Sequence, residues 1–219
     1  MSATLGLDTN QTAVAERLEP SGVAIIGIHF QRGIVSPGGF FGDRFSEPLH
    51  ATGALARYVD LLPSARTHGA TVVHVGICNP RDTITNNPLF KHAHESGSLR
   101  CGTSDVEIAD EIPTDPADLT LMHHRTSAFV DTNLVGHLQH RRIHTLAIAG
   151  ISTHVAVEGT AREAVDIGYD VLLLEDCCVA PTASVHADAV ERMRMLVTEV
   201  TTAPALLARL ARPAQDEIT

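Results

Sequence analysis

The chain has 219 residues, 44% hydrophobic and 19% charged, with a formal net charge of −10, a length that supports one substantial core and one domain. The acidic balance weighs against a nucleic-acid groove or an anionic membrane surface, both of which need clustered Lys and Arg. No apolar run approaches the roughly 20 residues that span a bilayer, so a soluble chain with small-molecule or protein partners is expected.

In chain order, residues 1–20 lack the basic start and apolar block of a secretory signal and carry acidic residues that a transit peptide avoids. They read as an N-terminal arm on a cytoplasmic protein, with residues 21–219 as a single domain. Six short apolar runs follow: "GVAIIGI" (22–28), "ATVVHVGI" (70–77), "LTLMH" (119–123), "TLAIAG" (145–150), "DVLLLED" (170–176) and "LVTEVTT" (196–202). Near-continuous hydrophobicity marks strands buried on both faces. Helical spacing separates most of them. "ALARYVDLLPSARTHG" ends in Gly69 and contains Pro63, a candidate break. "DTNLVGHLQHRRIH" offers Asp131 and Thr132 as N-caps, "HADAVERMRML" precedes the last strand, and "APALLARLARP" closes the chain. Alternating strands and helices predict parallel pairing through right-handed crossovers, hence an α/β fold: three layers, α/β/α, around a six-stranded, mostly parallel sheet.

Between these elements, "SPGGFFGDRF" reads as a glycine-rich loop whose Phe40 and Phe41 could cover a substrate or a subunit interface. Residues 78–118 are polar and punctuated by Gly and Pro, as in a binding loop or lid; their His92 and His94 read as solvated. Cys78, Cys101, Cys177 and Cys178 show neither CxxC spacing nor the density of a disulfide scaffold, and read as reduced, partly buried thiols.

In an open parallel sheet the ligand crevice lies beyond the carboxyl ends of the strands. Those ends carry His29 and Gln31 after the first strand, His123, His124 and Arg125 after the third, and Ser152, Thr153 and His154 after the fourth. Scatter of 13 histidines would seldom fill three strand ends. Imidazole titrates near pH 6.5 and suits acid/base work. Three imidazoles could equally hold a transition metal such as zinc, with His29, His123 and His154 as the set, or each could simply fill a polar site.

Three blocks resemble the isochorismatase-like hydrolases, also called cysteine hydrolases. "AIIGIHFQ" is similar in part to a strand ending in Asp-x-Gln. "HHRTSAFVDTNL" is similar to Lys-x-Arg-x-Ser-Ala-Phe followed by Thr and Leu. "GISTHVAVEGTAREAVDIGYDVLLLED" is similar to Gly-x-x-Thr-x-x-Cys-Val-x-x-Thr-Ala and onward. The resemblance covers residues 22 to 202. Carried over position by position, it places the family's catalytic Asp on His29, its Lys on His123 and its nucleophilic Cys on Ala156, while Gln31, Arg125, Ser127, Phe129, Thr132, Thr153, Val157, Thr160 and Ala161 keep the surrounding pattern.

A methyl group cannot attack a carbonyl carbon, so the thioester route is closed at position 156. The leading expectation is therefore a non-cysteine hydrolase or lyase with His29 as general acid/base and His123 or His124 polarising the substrate. Gln31, Arg125, Phe129, Thr153, His154, Val155 and Ala156 would contact it, and no cofactor would be needed. A metal-assisted hydrolase and a catalytically silent binding or assembly subunit are the alternatives. The resemblance further implies a homo-oligomer, dimer or tetramer, and a cis peptide at Val155–Ala156.

Overall fold

All six apolar runs become strands of one parallel sheet in the computed structural model, which describes residues 18–80 and 87–211. The strands are β1 (Val23–Ile28), β2 (Thr71–Ile77), β3 (Leu119–His123), β4 (Thr145–Ile151), β5 (Asp170–Val179) and β6 (Glu199–Thr201), ordered β3-β2-β1-β4-β5-β6. Every adjacent pair is parallel. The chain winds outward from β1 to β3, then restarts at β4 on the other side of β1. Strand order therefore reverses between β1 and β4, where a crevice forms.

The helices among the described residues are α1 (Arg32–Val35), α2 (Gly39–Ala51), α3 (Ala54–Thr67), α4 (Pro88–Glu95), α5 (Leu134–His140), α6 (Glu158–Ile167), α7 (Ala183–Arg194) and α8 (Ala203–Leu210). Successive strand residues point to opposite faces, so β1 feeds two cores. Val23 and Ile25 join Tyr58, Leu61, Leu62 and Leu206 on one face. Ala24, Ile26 and Ile28 join Leu134, Leu138, Ala161 and Val190 on the other. Each fully buried Ile or Leu contributes roughly 1.5–3 kcal/mol, and both faces of β1 are completely covered.

Several local expectations change. The glycine-rich stretch after β1 is mostly helix: Gly38 and Gly39 turn the chain at φ 103 and 71, and α2 buries Phe45 and Leu49. Pro63 does not break α3, which runs through it to Thr67. The Thr67 hydroxyl donates to the Pro63 carbonyl at 2.9 Å. α5 begins at Leu134, later than Asp131 and Thr132 would set it, because Asp131 is left-handed at φ 61. α7 begins earlier than expected, at Ala183, where the Thr182 hydroxyl accepts from Val185 N at 3.3 Å.

The long segment after β2 contains α4, capped by the Asn87 side chain, which accepts from Leu89 N at 2.9 Å. Cys78 and Cys101 are joined in a disulfide with Cα atoms 4.9 Å apart, so they are not the reduced thiols expected. Cys177 and Cys178 are free, buried within β5. Of the N-terminal arm, residues 1–17 lie outside the described residues, and Leu18 already packs into the core. Among the described residues no helix is long and apolar enough to cross a membrane.

Gly150, where β4 runs beside β1, has φ 143, and a Cβ there would lie 2.3 Å from the Ile28 carbonyl oxygen. The clash is with sheet backbone, which no rotamer change relieves. Gly150→Ala is expected to cost more than about 2 kcal/mol in urea unfolding; a loss under about 0.5 kcal/mol, the range of a neutral surface change, would show that β1 and β4 part easily.

Candidate active site

The site begins with an amide. Gln31, fully buried just beyond β1, donates through Nε2 to Ile77 O at 2.9 Å and Val106 O at 2.8 Å, while its Oε1 accepts from Ile77 N at 2.8 Å. The side chain thereby extends the β1–β2 ladder past the strand end. Between β1 and this clamp, His29 adopts φ 61 and donates its backbone N–H to Val75 O at 2.8 Å. The left-handed residue turns the chain out of the sheet.

His123 ends β3 in full burial, and its Nε2 lies 2.6 Å from Nε2 of His29. Its Nδ1 is 2.9 Å from Ser127 O. Burial pushes both rings below the usual imidazole range, His123 to about 4, and neighbouring His123 adds to the lowering of His29. Both are neutral at pH 7, so each carries one ring proton, and the partners decide where. Ser127 O can only accept, which puts the His123 proton on Nδ1. His123 Nε2 is then an acceptor, so the His29 proton sits on Nε2 and points at it. His29 Nδ1 then carries the ring's lone pair. The Ile151 carbonyl favours protonation of His29, which stabilises the imidazolium that would form on proton uptake.

His29 opens onto a cavity of about 160 Å³ at the switch between β1 and β4. Ile151, Ser152, Val155 and Ala156 form one side, Phe41, Phe45, Phe90 and Leu99 another, and Arg44, Arg125 and His154 bring nitrogen-rich side chains to the wall. Beyond β4 the chain makes a wide five-residue turn, Thr153–Val157, before α6. A cis peptide precedes it at Ile151–Ser152, in place of the Val155–Ala156 position expected. Among the described residues no histidine ring is hydrogen-bonded to the Ser152 or Thr126 hydroxyl, the activation a hydroxyl nucleophile requires.

The expected site residues divide. His29, Arg125, His154, Val155 and Ala156 line the cavity, and His123 stands behind His29. His124 does not join them: neighbouring strand-end side chains alternate in direction, and its Nδ1 lies 2.9 Å from Cys78 O, beside the disulfide. Gln31 is a structural clamp rather than a substrate contact. Phe129 is buried in the core and stacks on Tyr169 at 6.3 Å. Thr153 is fully buried, with Oγ1 2.9 Å from Nδ1 of His186. Cys177 and Cys178 are buried and absent from the cavity lining, and burial raises both thiols, Cys178 to about 12.

The proposed metal set of His29, His123 and His154 does not fit. Two nitrogens bound to one zinc at about 2.0–2.1 Å in tetrahedral geometry stand roughly 3.3 Å apart, whereas the 2.6 Å between the two Nε2 atoms is a hydrogen bond. Nor does His154 bring a third donor: among the described residues, three donors converge only at Cys78, Cys101 and His124. Residues that sequence reasoning missed are Arg44, Phe45, Phe90 and Leu99, which come from helix and loop segments whose composition gave no sign that they face the crevice.

Lowered imidazoles make stability pH-dependent in a definite sense. As pH falls below about 6.5, unfolded histidines take up protons that buried His29 and His123 refuse, so the unfolded state gains and stability drops towards pH 4. Urea unfolding between pH 7 and 4.5 should show this decline, shallower in His123→Asn; equal slopes would mean that His123 titrates freely in the folded protein.

The isochorismatase domain pattern matches residues 23–205. The chain is 28% identical over 174 residues to the ureidoacrylate amidohydrolase RutB of Rhizobium rhizogenes, spanning 73% of this chain and 71% of that protein. Among solved structures, an isochorismatase family protein from Desulfovibrio vulgaris superposes with a TM-score of 0.75 at 29% identity, over 87% of this chain and 99% of that one. A cysteine hydrolase from Pseudomonas syringae shares the fold with a TM-score of 0.77 at 21% identity, over 88% and 94% of the two chains. With this sheet order, a crevice at the β1–β4 switch and a pattern spanning nearly the whole described chain, the protein belongs to the isochorismatase family of hydrolases.

Proposed function

We propose that the chain hydrolyses a small carboxylate-bearing amide or ureide without a covalent intermediate, with His29 as general base and acid. The observation that carries this reading is the His29–His123 hydrogen bond, which fixes the tautomer of a cavity-facing imidazole while Ala156 offers no nucleophile at the floor. In the proposed step, His29 Nδ1 takes a proton from water, the resulting hydroxide attacks the carbonyl carbon, and the imidazolium returns the proton to the departing nitrogen. His123 does not touch the reacting atoms. It positions His29, and its own burial keeps it from serving as a permanent cation in the manner of a lysine.

Arg44 and Arg125 support an anionic substrate, because a guanidinium in a largely apolar wall favours a carboxylate. Arg44 also lies close enough to His154 to disfavour its protonation. The RutB relatives, named for ureidoacrylate, make small ureido acids the first substrates to try. A silent binding subunit is less well supported, since the cavity is open and a titratable imidazole, His29, lines it.

His29→Ala should lower kcat/KM by about 100-fold or more on whichever acid is turned over, in protein that circular dichroism shows to be folded; full activity in that variant would sink the reading. Turnover should survive Cys177→Ser/Cys178→Ser and thiol alkylation, whereas loss of activity on alkylation would point to a cysteine route. A base must be unprotonated to act, and His29 is held below the usual range. The acid limb of kcat/KM should therefore lie below pH 6.5; a limb above that value would exclude His29 as the titrating group.

A further inference from the structure

The loop that roofs the cavity is secured at one point by three soft or borderline donors from different segments. Cys78 follows β2, Cys101 follows the roof residue Leu99, and His124 follows β3. Their donor atoms all lie within 4.8 Å of one another. Cys78 Sγ and His124 Nδ1 are 3.8 Å apart, close to the roughly 3.6 Å edge expected between sulfur and nitrogen in a tetrahedral zinc site with bonds of about 2.3 and 2.0 Å. Around them the backbone is pinned: Asn79 N donates to Leu99 O at 2.7 Å and Cys101 N to Asn79 O at 3.2 Å. None of the three lines the cavity.

We propose that Cys78, Cys101 and His124 form a thiol-gated metal site, closed as a disulfide and, when reduced, binding one zinc ion through two thiolates and one imidazole. The two states exclude each other, because the same sulfurs are used. A dithiol reductant supplies two electrons and two protons, the S–S bond breaks, each cysteine leaves as a thiol, and the reductant becomes a disulfide. Zinc then displaces both thiol protons and takes the Nδ1 lone pair of His124 in its Nε2–H tautomer. Cys78 O loses its His124 partner, and water can replace it because His124 is only partly buried. A fourth position is left for water or a further ligand. Either occupant ties Cys101 to the end of β2, so the roof stays anchored in both oxidising and reducing surroundings, by different bonds.

The test is metal binding by the full chain in two redox states. Wild-type protein, reduced and then freed of reductant anaerobically, is titrated with zinc and, in parallel, with cobalt(II), whose thiolate charge-transfer absorption reports sulfur ligation. The expected result is one zinc retained per chain after dialysis, a cobalt–thiolate band in the reduced protein, and neither in the disulfide form. His124→Ala should weaken binding by more than the roughly tenfold that a lost outer partner costs, and Cys101→Ser should remove the cobalt–thiolate signature of the pair. Equal metal uptake by the oxidised and reduced wild type would assign the binding to other histidines and overturn the proposal. So would undiminished affinity in His124→Ala, or no uptake by the reduced protein. The oxidised wild type shares sequence and sheet with the reduced one, so the comparison holds even if a substituted chain folds poorly.

Discussion

Everything at the site depends on a parallel sheet being continued for one step beyond its backbone. β1 stops at Ile28, His29 turns outward with its N–H still on Val75 O, and beyond it the Gln31 amide, bonded to both backbone groups of Ile77 and to Val106 O, keeps the departing chain in register with β2. A buried amide with three well-made hydrogen bonds stabilises modestly, but an orphaned one costs about 1–3 kcal/mol. The clamp therefore specifies one geometry more than it adds stability. His29 inherits its direction from that geometry and lines the cavity from there.

The second constraint is neutrality. The resemblance aligns an aspartate and a lysine with His29 and His123; an ion pair would hold those positions by charge. Two buried imidazoles hold each other by a single hydrogen bond, and the low dielectric that weakens their protonation also orders their tautomers through Ser127 O. The charged side chains at the cavity wall are then Arg44 and Arg125.

The sheet was legible because strands covered on both faces leave continuous apolar runs such as "TLAIAG", and those runs survive in the structure within a few residues. His29 and His123 were legible as aligned positions, although the hydrogen bond between them was not. α2 and α4 escaped notice because Gly, Pro and polar residues dominate their composition, and their stability comes from burying Phe45, Leu49, Phe90 and Ala93. The Cys78–Cys101 bridge was hidden because a sequence separation of 23 says nothing about Cα distance. Motif agreement at Gln31, Phe129 and Thr153 marked positions of the fold, not the direction in which each side chain faces; in all three the side chain supports the scaffold.

The methyl group of Ala156 carries one more implication. An enzyme that captures half of its substrate on a sulfur can release that half to any acceptor able to enter, and so drifts between hydrolysis and group transfer. Ala156, which lines this cavity, offers only a methyl group and cannot take such a fragment. In the water-attack route proposed above, water adds to the carbonyl before the C–N bond breaks, and position 156 never holds a fragment covalently. A methyl group at position 156 is also beyond the oxidation to which a reactive thiolate is exposed.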